Sequence, residues 1–242
     1  MAMYGSLAAG APVGLWLNGL AGFMAVGLAT ILLPLVGLLL VAGVPRITPH
    51  AGRRQPFWGI IGVIWRPGLG VALQGVGFAA IGSFVTLDFV SKGWPHAGLA
   101  LSCFGAAFVA VRIMFGRLPD RIGGIPIALT SLAVETVGQI VLWLAPNPAV
   151  ALVGAALTGA GCSMVFPSFG VEVVKRMPPQ SRGTALGGFA ALQDVAYGST
   201  GPLTGLVASA FGYSAVFAIG AIAAAGGVLM AVMTWRAIRR EG

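Results

Sequence analysis

The chain has 242 residues, of which 57% are hydrophobic and only 8% are charged, and its mean hydropathy is +0.94. A water-soluble domain must cover its outside with polar groups, so this composition excludes an ordinary globular protein and indicates a chain surrounded by lipid. The net charge of +8 does not indicate nucleic-acid binding, because the basic residues are not combined with aromatic side chains in a recognition element.

Apolar runs recur along the whole chain, separated by breaks that contain proline, glycine or asparagine. A helix needs roughly 20 such residues to cross a bilayer, so the pattern predicts an all-α, polytopic membrane bundle of about eight helices. The predicted helices lie at about 2–18, 22–44, 67–91, 97–116, 125–145, 149–172, 184–208 and 213–235.

The longest break, 45–66, separates the predicted helices into two groups. It is polar, contains prolines and His50, and holds four arginines. We therefore expect two transmembrane helices over 1–44, a cytoplasmic linker loop over 45–66 and a six-helix bundle over 67–242.

Positive charge is confined to alternate breaks, with Lys92 as the exception. Because basic loops stay on the cytoplasmic side of a membrane, these breaks predict a multi-pass protein with both termini in the cytoplasm. The basic residues concerned are Arg46, Arg53, Arg54, Arg66, Arg112, Arg117, Arg121, Lys175, Arg176, Arg182, Arg236, Arg239 and Arg240.

Cysteine and histidine have no spacing that indicates a metal site or a cofactor. Cys103 and Cys162 lie inside apolar runs, which is typical of small packing residues, and His50 and His96 lie in separate breaks. No HExxH motif and no Ser-His-Asp constellation is found, so a membrane enzyme is the weakest of the functional classes considered.

One basic break has the sequence Gly116-Arg117-Leu118-Pro119-Asp120-Arg121-Ile122-Gly123-Gly124. The glycines Gly116 and Gly123 permit a tight turn between helices, and Arg121 favours the anionic side of a membrane. Asp120 can accept hydrogen bonds from arginine side chains or from the amides at a helix N-terminus. A plain solvated turn is the alternative.

Two predicted helices contain proline beside glycine, and in the second of them Asp194 shares a face with several glycines. Small residues on one face allow helix backbones to approach closely, and neighbouring helices can satisfy the carbonyls that proline leaves free. The residues of the two motifs are Gly10, Pro12 and Gly14, and Gly201, Pro202 and Gly205.

These motifs resemble the major facilitator superfamily. The loop at 116–124 matches its loop signature except at Gly124, where the family has a basic residue, and 182–187 resembles the opening of the family's eleventh helix. The two Gly-Pro motifs resemble those of the fifth and eleventh helices of antiporters. The chain then aligns with helices five to twelve: the C-terminal six-helix half of the fold plus two helices of the N-terminal half.

The resemblance implies a secondary transporter of the bacterial inner membrane, exporting a small organic solute by alternating access and coupled to protons. It also implies that Gly116, Asp120, Arg121 and Gly123 form a latch that holds one conformation. Nothing in the chain matches helices one to four. The alternative is therefore a non-transporting membrane fragment or interaction subunit that needs an N-terminal half or a second copy.

Two acidic residues are predicted near the middle of the membrane. Asp194 lies about ten residues into its helix, or roughly 15 Å, without a basic residue at similar depth, so it is a candidate proton carrier. A structural aspartate on the glycine face is the alternative. Glu135 has Gln139 one turn on, and we expect it to form a structural ion pair with Arg112 rather than a proton relay.

The predicted helix 67–91 has Gln74, Phe78 and Asp88 on one face. By resemblance this is the seventh helix, which lines the central cavity, so these residues are candidates for substrate contact and, for Asp88, for the outer mouth. A hydrogen bond from Gln74 to a neighbouring helix is the alternative.

Overall fold

The computed structural model describes residues 2–43 and 57–241, and every regular element in these stretches is helical. The chain divides into two compact units, Met1–Ala51 and Gly52–Gly242. No strand occurs in the stretches described, which confirms the all-α prediction.

The first unit contains one long helical element, α1 (Ala2–Ala42). Its backbone leaves the helical region at Ala21 and Gly22, and Gly22 has a φ of +67° that glycine adopts without strain. The element is therefore two helical segments. The part from Trp16 to Ala42 is long and apolar enough to cross a membrane.

The second unit contains seven α-helices, and a short 3-10 turn, Pro179–Ser181, precedes the sixth of them. The first helix begins ahead of the predicted boundary at 67 and carries Pro67 inside it. Residues 45–56 of the predicted linker, with Arg46, His50, Arg53 and Arg54, lie outside the described residues. The helices are α2 (Phe57–Ser91), α3 (Gly98–Phe115), α4 (Leu118–Ile122), α5 (Gly124–Trp143), α6 (Pro148–Arg176), α7 (Arg182–Phe211) and α8 (Ser214–Glu241).

Six helical segments of the described chain have the length and hydropathy of membrane spans: the second part of α1, and α2, α3, α5, α6 and α8. Helix α7 has 30 residues, but its glycine and polar residues keep it outside this set. With α7, the second unit has six long helices, as expected for the C-terminal half of the fold.

Helix packing in the second unit depends on glycine. Helix α2 packs against α6, α7 and α8, while α5 packs against α6 and α8, and α3 packs against α6. A Cβ on Gly159 would meet the Phe104 carbonyl of α3, and a Cβ on Gly161 would meet the Glu135 backbone of α5. These helices are therefore in backbone contact, the arrangement that small residues permit in membranes.

Apolar side chains are buried between the helices and also cover the outside of the bundle. Phe169, Phe189 and Leu132 belong to the core, whereas Ile140, Val153, Ile222 and Leu229 are exposed. Exposed aliphatic residues on this scale suit contact with lipid chains rather than water.

Candidate functional site

The polar side chains of α2 point into the bundle. On the face that holds Gln74, Phe78 and Asp88, Gln74 and Asp88 are each only 2% exposed and Phe78 is half-buried. Between them, Ile81 and Val85 are fully buried. In the described unit this face is packed against neighbouring helices.

Gln74 pairs with a residue of α7. Gln193 Nε2 donates a hydrogen bond to Gln74 Oε1 at 3.1 Å, and both side chains are buried. This contact joins residues 119 positions apart. This hydrogen bond is the alternative given for Gln74, a bond to a neighbouring helix.

Glu135 and Gln139 lie in the centre of the bundle, and both are 0% exposed. Gln139 Nε2 donates to the Gly77 carbonyl of α2 at 2.9 Å. The two Glu135 carboxyl oxygens and Gln139 Oε1 are buried without a hydrogen-bond partner. Three acceptor oxygens, two of them on one ionisable carboxyl group, therefore share one turn of α5 without a hydrogen-bond donor.

Neither carboxyl oxygen of Glu135 has a hydrogen-bond partner among the described residues, and the structural ion pair expected with Arg112 stays a prediction. Arg112 belongs to the last turn of α3, where its guanidinium lies 6.0 Å from the Phe108 ring centroid. Glu135 lies much farther from the end of its own helix. The two side chains therefore differ in depth, which their positions on separate helices did not reveal.

Cys162 of α6 lies beside both Glu135 and Gln74. Its side chain is 3% exposed, as expected for a packing residue. The thiol is, however, in contact with the polar groups and not only with apolar side chains. Gln74, Glu135, Gln139, Cys162 and Gln193 together form what we call the polar layer, which is contributed by α2, α5, α6 and α7.

Asp88 has two partners at the opposite end of α2 from Pro67. Its carboxylate accepts hydrogen bonds from Lys92 Nζ at 2.9 Å and from Ser214 Oγ at 2.7 Å. Lys92 also lies over the Trp94 ring. Asp88 therefore ties the end of α2 to the start of α8.

Phe78 belongs to an aromatic group. Its ring lies 5.4 Å from Phe104 and 6.3 Å from Phe108 in edge-on arrangements, and 5.1 Å from Tyr197 of α7. Edge-on ring pairs at these distances are favourable. Phe78 and Tyr197 are only half-buried, so the two rings form part of the accessible surface of the unit.

Asp194 is exposed, although it follows the buried Gln193. The glycines on its side of α7, Gly187, Gly198, Gly201 and Gly205, have no atom within 4 Å of a Cβ built on them. Pro202 is exposed as well. We call this surface the open face of α7.

The first Gly-Pro motif is only partly described. Gly10 and Pro12 lie within α1, in the stretch whose side chains lie outside the described residues, and Gly14 has no atom near a Cβ built on it.

The loop at 116–124 contains the short helix α4. Gly123 has a φ of +101°, and its amide donates to the Pro119 carbonyl at 3.2 Å. Gly124 begins α5, where its amide donates to Glu172 Oε1 at 3.0 Å. Gly116 is in the right-handed helical region.

The charged side chains of this loop lie on the surface of the described unit. Asp120 and Arg121 are exposed and form no ion pair or side-chain hydrogen bond with another described residue.

Sequence reasoning missed Gln193, the polar contacts of Cys162, and Tyr197. Their position along the helix could have indicated these residues. All three lie near the middle of long helices, at about the same depth as Asp194 and Glu135. The direction in which each side chain points was not available from that signal.

A family comparison decides the class of this bundle. The family model described as Major Facilitator Superfamily matches residues 67–241. This chain belongs to the major facilitator superfamily. The match includes the loop with Gly123, most of α2 and all of the other five long helices of the second unit.

Relatives in three bacteria support the same assignment. The chain is 48% identical over 224 residues to an uncharacterized MFS-type transporter of Salmonella typhimurium, covering 93% of this chain and 58% of that protein. It is 45% identical over 191 residues to one of Pseudomonas aeruginosa, covering 79% and 48%, respectively. A Burkholderia mallei relative is 41% identical over 236 residues, covering 98% and 58%. The chain thus spans about half the length of the curated relatives it matches.

Proposed function

We propose that the protein is a secondary transporter that exports a small organic solute by alternating access and exchanges it for protons. Membership of the superfamily supports transport. The proton as coupling ion and the solute class are supported by the side chains considered next, and the outward direction is what the family resemblance implies.

The carrying observation is Glu135, a fully buried carboxyl group without a hydrogen-bond partner, inside helices that span a membrane. An unpaired carboxylate in such surroundings is costly, whereas the neutral acid is tolerated. Reversible protonation is the chemistry that this arrangement favours, and it is what exchange against protons requires.

Asp194 is the second proton-coupling candidate. It lies on the open face of α7, where an aspartate in contact with lipid would be costly. We propose that this face lines a water-filled cavity or packs against the part of the transporter that this chain does not cover. The relatives are long enough to supply such a part.

The aromatic surface beside Asp194 favours an organic solute. Phe78 and Tyr197 are half-buried rings, and Tyr197 follows Asp194 by one helical turn. A carboxylate next to ring faces suits an aromatic cation. Asp88 already accepts hydrogen bonds from Lys92 and Ser214, so it is a less suitable contact for a solute.

The orientation follows from charge. Arg117 and Arg121, Lys175 and Arg176, and Arg236 lie at the same end of the helices in an antiparallel bundle. We propose that this end faces the cytoplasm of a bacterial cell, with the protein in the inner membrane and both termini inside. The loop residues Gly116, Asp120, Arg121 and Gly123 would then form the latch on that side.

The alternative is a non-transporting membrane subunit. It is favoured by the open face of α7 and by the chain's coverage of only 58% of the Salmonella relative. In that case the chain acts only with an N-terminal half or a second copy of itself.

The test uses inside-out vesicles and ethidium, an aromatic cation, as the probe. The chain is produced alone and together with the remaining part of the Salmonella relative, and ethidium accumulation is driven by an acidic interior. We expect accumulation that Glu135→Gln and Asp194→Asn abolish and that Glu172→Gln, an end-of-helix control, retains.

Three outcomes separate the candidates. Accumulation by both preparations supports a transporter, and accumulation only when the second part is present supports the subunit. Accumulation that persists in both carboxyl variants, or that ignores the pH gradient, contradicts proton exchange at these residues.

A further inference from the structure

The polar layer crosses the bundle at the middle of the membrane-spanning helices. Its five side chains are at most 7% exposed and come from four helices. Polar groups in such a place require partners, because there is no water to satisfy them. Any acceptor in the polar layer that lacks a hydrogen-bond donor is therefore energetically costly.

The two hydrogen bonds already present in the polar layer both have their acceptor on α2. Gln193 donates to Gln74, and at the other end Gln139 donates to the Gly77 carbonyl. Cys162 lies between Gln74 and Glu135 and has a hydrogen to donate. What is missing is a donor between Glu135 and Gln139, whose three oxygens are unpartnered.

Glycines on the neighbouring helices make room for this group. A Cβ on Gly77 would meet Glu135 Oε1, a Cβ on Gly220 would lie 2.6 Å from Gln139 Oε1, and Gly161 faces the Glu135 backbone. Neither Glu135 carboxyl oxygen has a hydrogen-bond partner among the described side chains.

The groups that face the Glu135 carboxyl are otherwise neutral. On α2 the facing residue is Gly77. On α6 it is the Cys162 thiol, the titratable neighbour among the described side chains, which Gln74 of α2 also contacts. On α8, Gly220 lies next to Gln139, which is one helical turn after Glu135 on α5. A single added proton supplies one donor, between Glu135 and Gln139, and neutralises the carboxylate.

We propose that Glu135, Gln139 and Cys162 form a site that binds one proton, and that Gln74 and Gln193 are positioning residues for it. The protonated Glu135 donates its O–H to Gln139 Oε1, and the Cys162 S–H donates to the other carboxyl oxygen. The chain of donors then runs from Gln193 through Gln74, Cys162, Glu135 and Gln139 to the backbone of α2.

Release of the proton breaks this chain at one point. When alternating access opens the site to one side of the membrane, the proton passes to water, the carboxylate keeps the thiol as donor, and Gln139 Oε1 again has none. Gln193 immediately precedes Asp194 in α7. This series of hydrogen bonds therefore connects the Glu135 carboxyl group to the helix that carries the open face. Chains of hydrogen bonds strengthen one another, so the packing of α7 is coupled to the protonation of Glu135.

The site deepens the proposed function, since it assigns the proton of the exchange to a defined place, but its existence can be measured without transport. The experiment is infrared difference spectroscopy of the purified chain in lipid nanodiscs during a pH change. A protonated carboxyl group buried in protein gives a C=O stretching band, and the band frequency depends on the hydrogen bonds to that carbonyl.

We expect a band in the unmodified chain that is absent in Glu135→Gln and unchanged in Asp194→Asn. Cys162→Ala removes the donor to the carbonyl and shifts the band to higher frequency, whereas Cys162→Ser provides a stronger donor and shifts it to lower frequency. Cys103→Ala, which changes the half-buried cysteine of α3, is the matched control and leaves the band in place.

A band that is absent at every pH at which the chain stays folded overturns the site, and so does a band that neither Cys162 variant moves. Should Glu135→Gln fail to fold, the opposite shifts of the two cysteine variants still decide the assignment. A correct band with no proton-driven accumulation refutes the proposed function but not the site. Accumulation without the band refutes the site alone.

Discussion

Alanine at Gly138 tests whether the bundle depends on backbone contact between α5 and α6. A Cβ at this position would lie 2.6 Å from Thr158 Oγ1 and 2.9 Å from the Leu157 carbonyl carbon. On the facing helix, a Cβ at Gly154 would lie 3.0 Å from the Gly138 carbonyl oxygen. The contact is therefore close from both sides, and a change of side-chain rotamer cannot relieve it.

The expected loss of stability follows from this geometry. Overpacking of a tight interface costs about 1–3 kcal/mol, and obstruction by backbone atoms places Gly138→Ala in the upper part of that range. Alanine is the better helix former by up to about 1 kcal/mol, which offsets part of the loss. The free energy of unfolding should therefore fall by about 1–2 kcal/mol.

The matched control is Gly198→Ala on the open face of α7, where a new Cβ meets nothing within 4 Å. Both variants are unfolded by adding sodium dodecyl sulfate to mixed micelles, and unfolding is followed by tryptophan fluorescence. Gly138→Ala should unfold at lower detergent fraction, while Gly198→Ala should match or exceed the unmodified chain. Equal stability of the two variants would refute the role assigned to the α5–α6 contact.

Three further substitutions address the ends of the helices, each measured by the same titration. Asp88→Asn removes the negative charge that pairs with Lys92 at 2.9 Å and should lower the free energy of unfolding by about 1–3 kcal/mol. Gly123→Ala places a Cβ at a φ of +101° and a ψ of +149°, a region essentially restricted to glycine, and should cost about 1–3 kcal/mol. Glu172→Ala removes the acceptor for the Gly124 amide at the start of α5 and should cost about 0.5–2 kcal/mol.

Each of these changes has a control in the chain. Asp120→Asn alters an exposed aspartate without an ion pair among the described residues, and Gly183→Ala alters a glycine in open space. Lys175→Ala removes the exposed partner of Glu172 at 3.4 Å and should change stability little, because exposed ion pairs contribute little. If any control destabilises as much as its test variant, the loss comes from a general effect on the chain and not from the named contact.

Much of the fold was predictable from the sequence because a membrane imposes local rules. The length of each apolar run, the turn residues between runs and the resemblance of the loop with Asp120 and Gly123 are readable without any long-range contact. They determined an all-α bundle and the family, and both are confirmed. The start of α2 at Phe57 was missed because Pro67 and the arginine before it look like the end of a loop, whereas a helix can continue through them.

The candidate site was only half predictable. Residue number along a helix gives depth, at about 1.5 Å per residue, so Asp194 and Glu135 were both placed near the middle of the membrane. What depth cannot give is the direction of a side chain relative to other helices. Asp194 was favoured over Glu135 as the proton carrier, yet Asp194 is exposed and Glu135 is the fully buried, unpartnered carboxyl group.

The sequence by itself determined that the chain lies in a membrane, which family it resembles and at what depth its polar residues lie, because each of these depends on neighbours within one helix. Only the tertiary structure decided that Gln74 meets Gln193, that Cys162 lies beside Glu135 and that Gln139 bonds the Gly77 carbonyl. Those contacts join residues far apart in the chain, and they depend on how the glycine faces of the helices fit together.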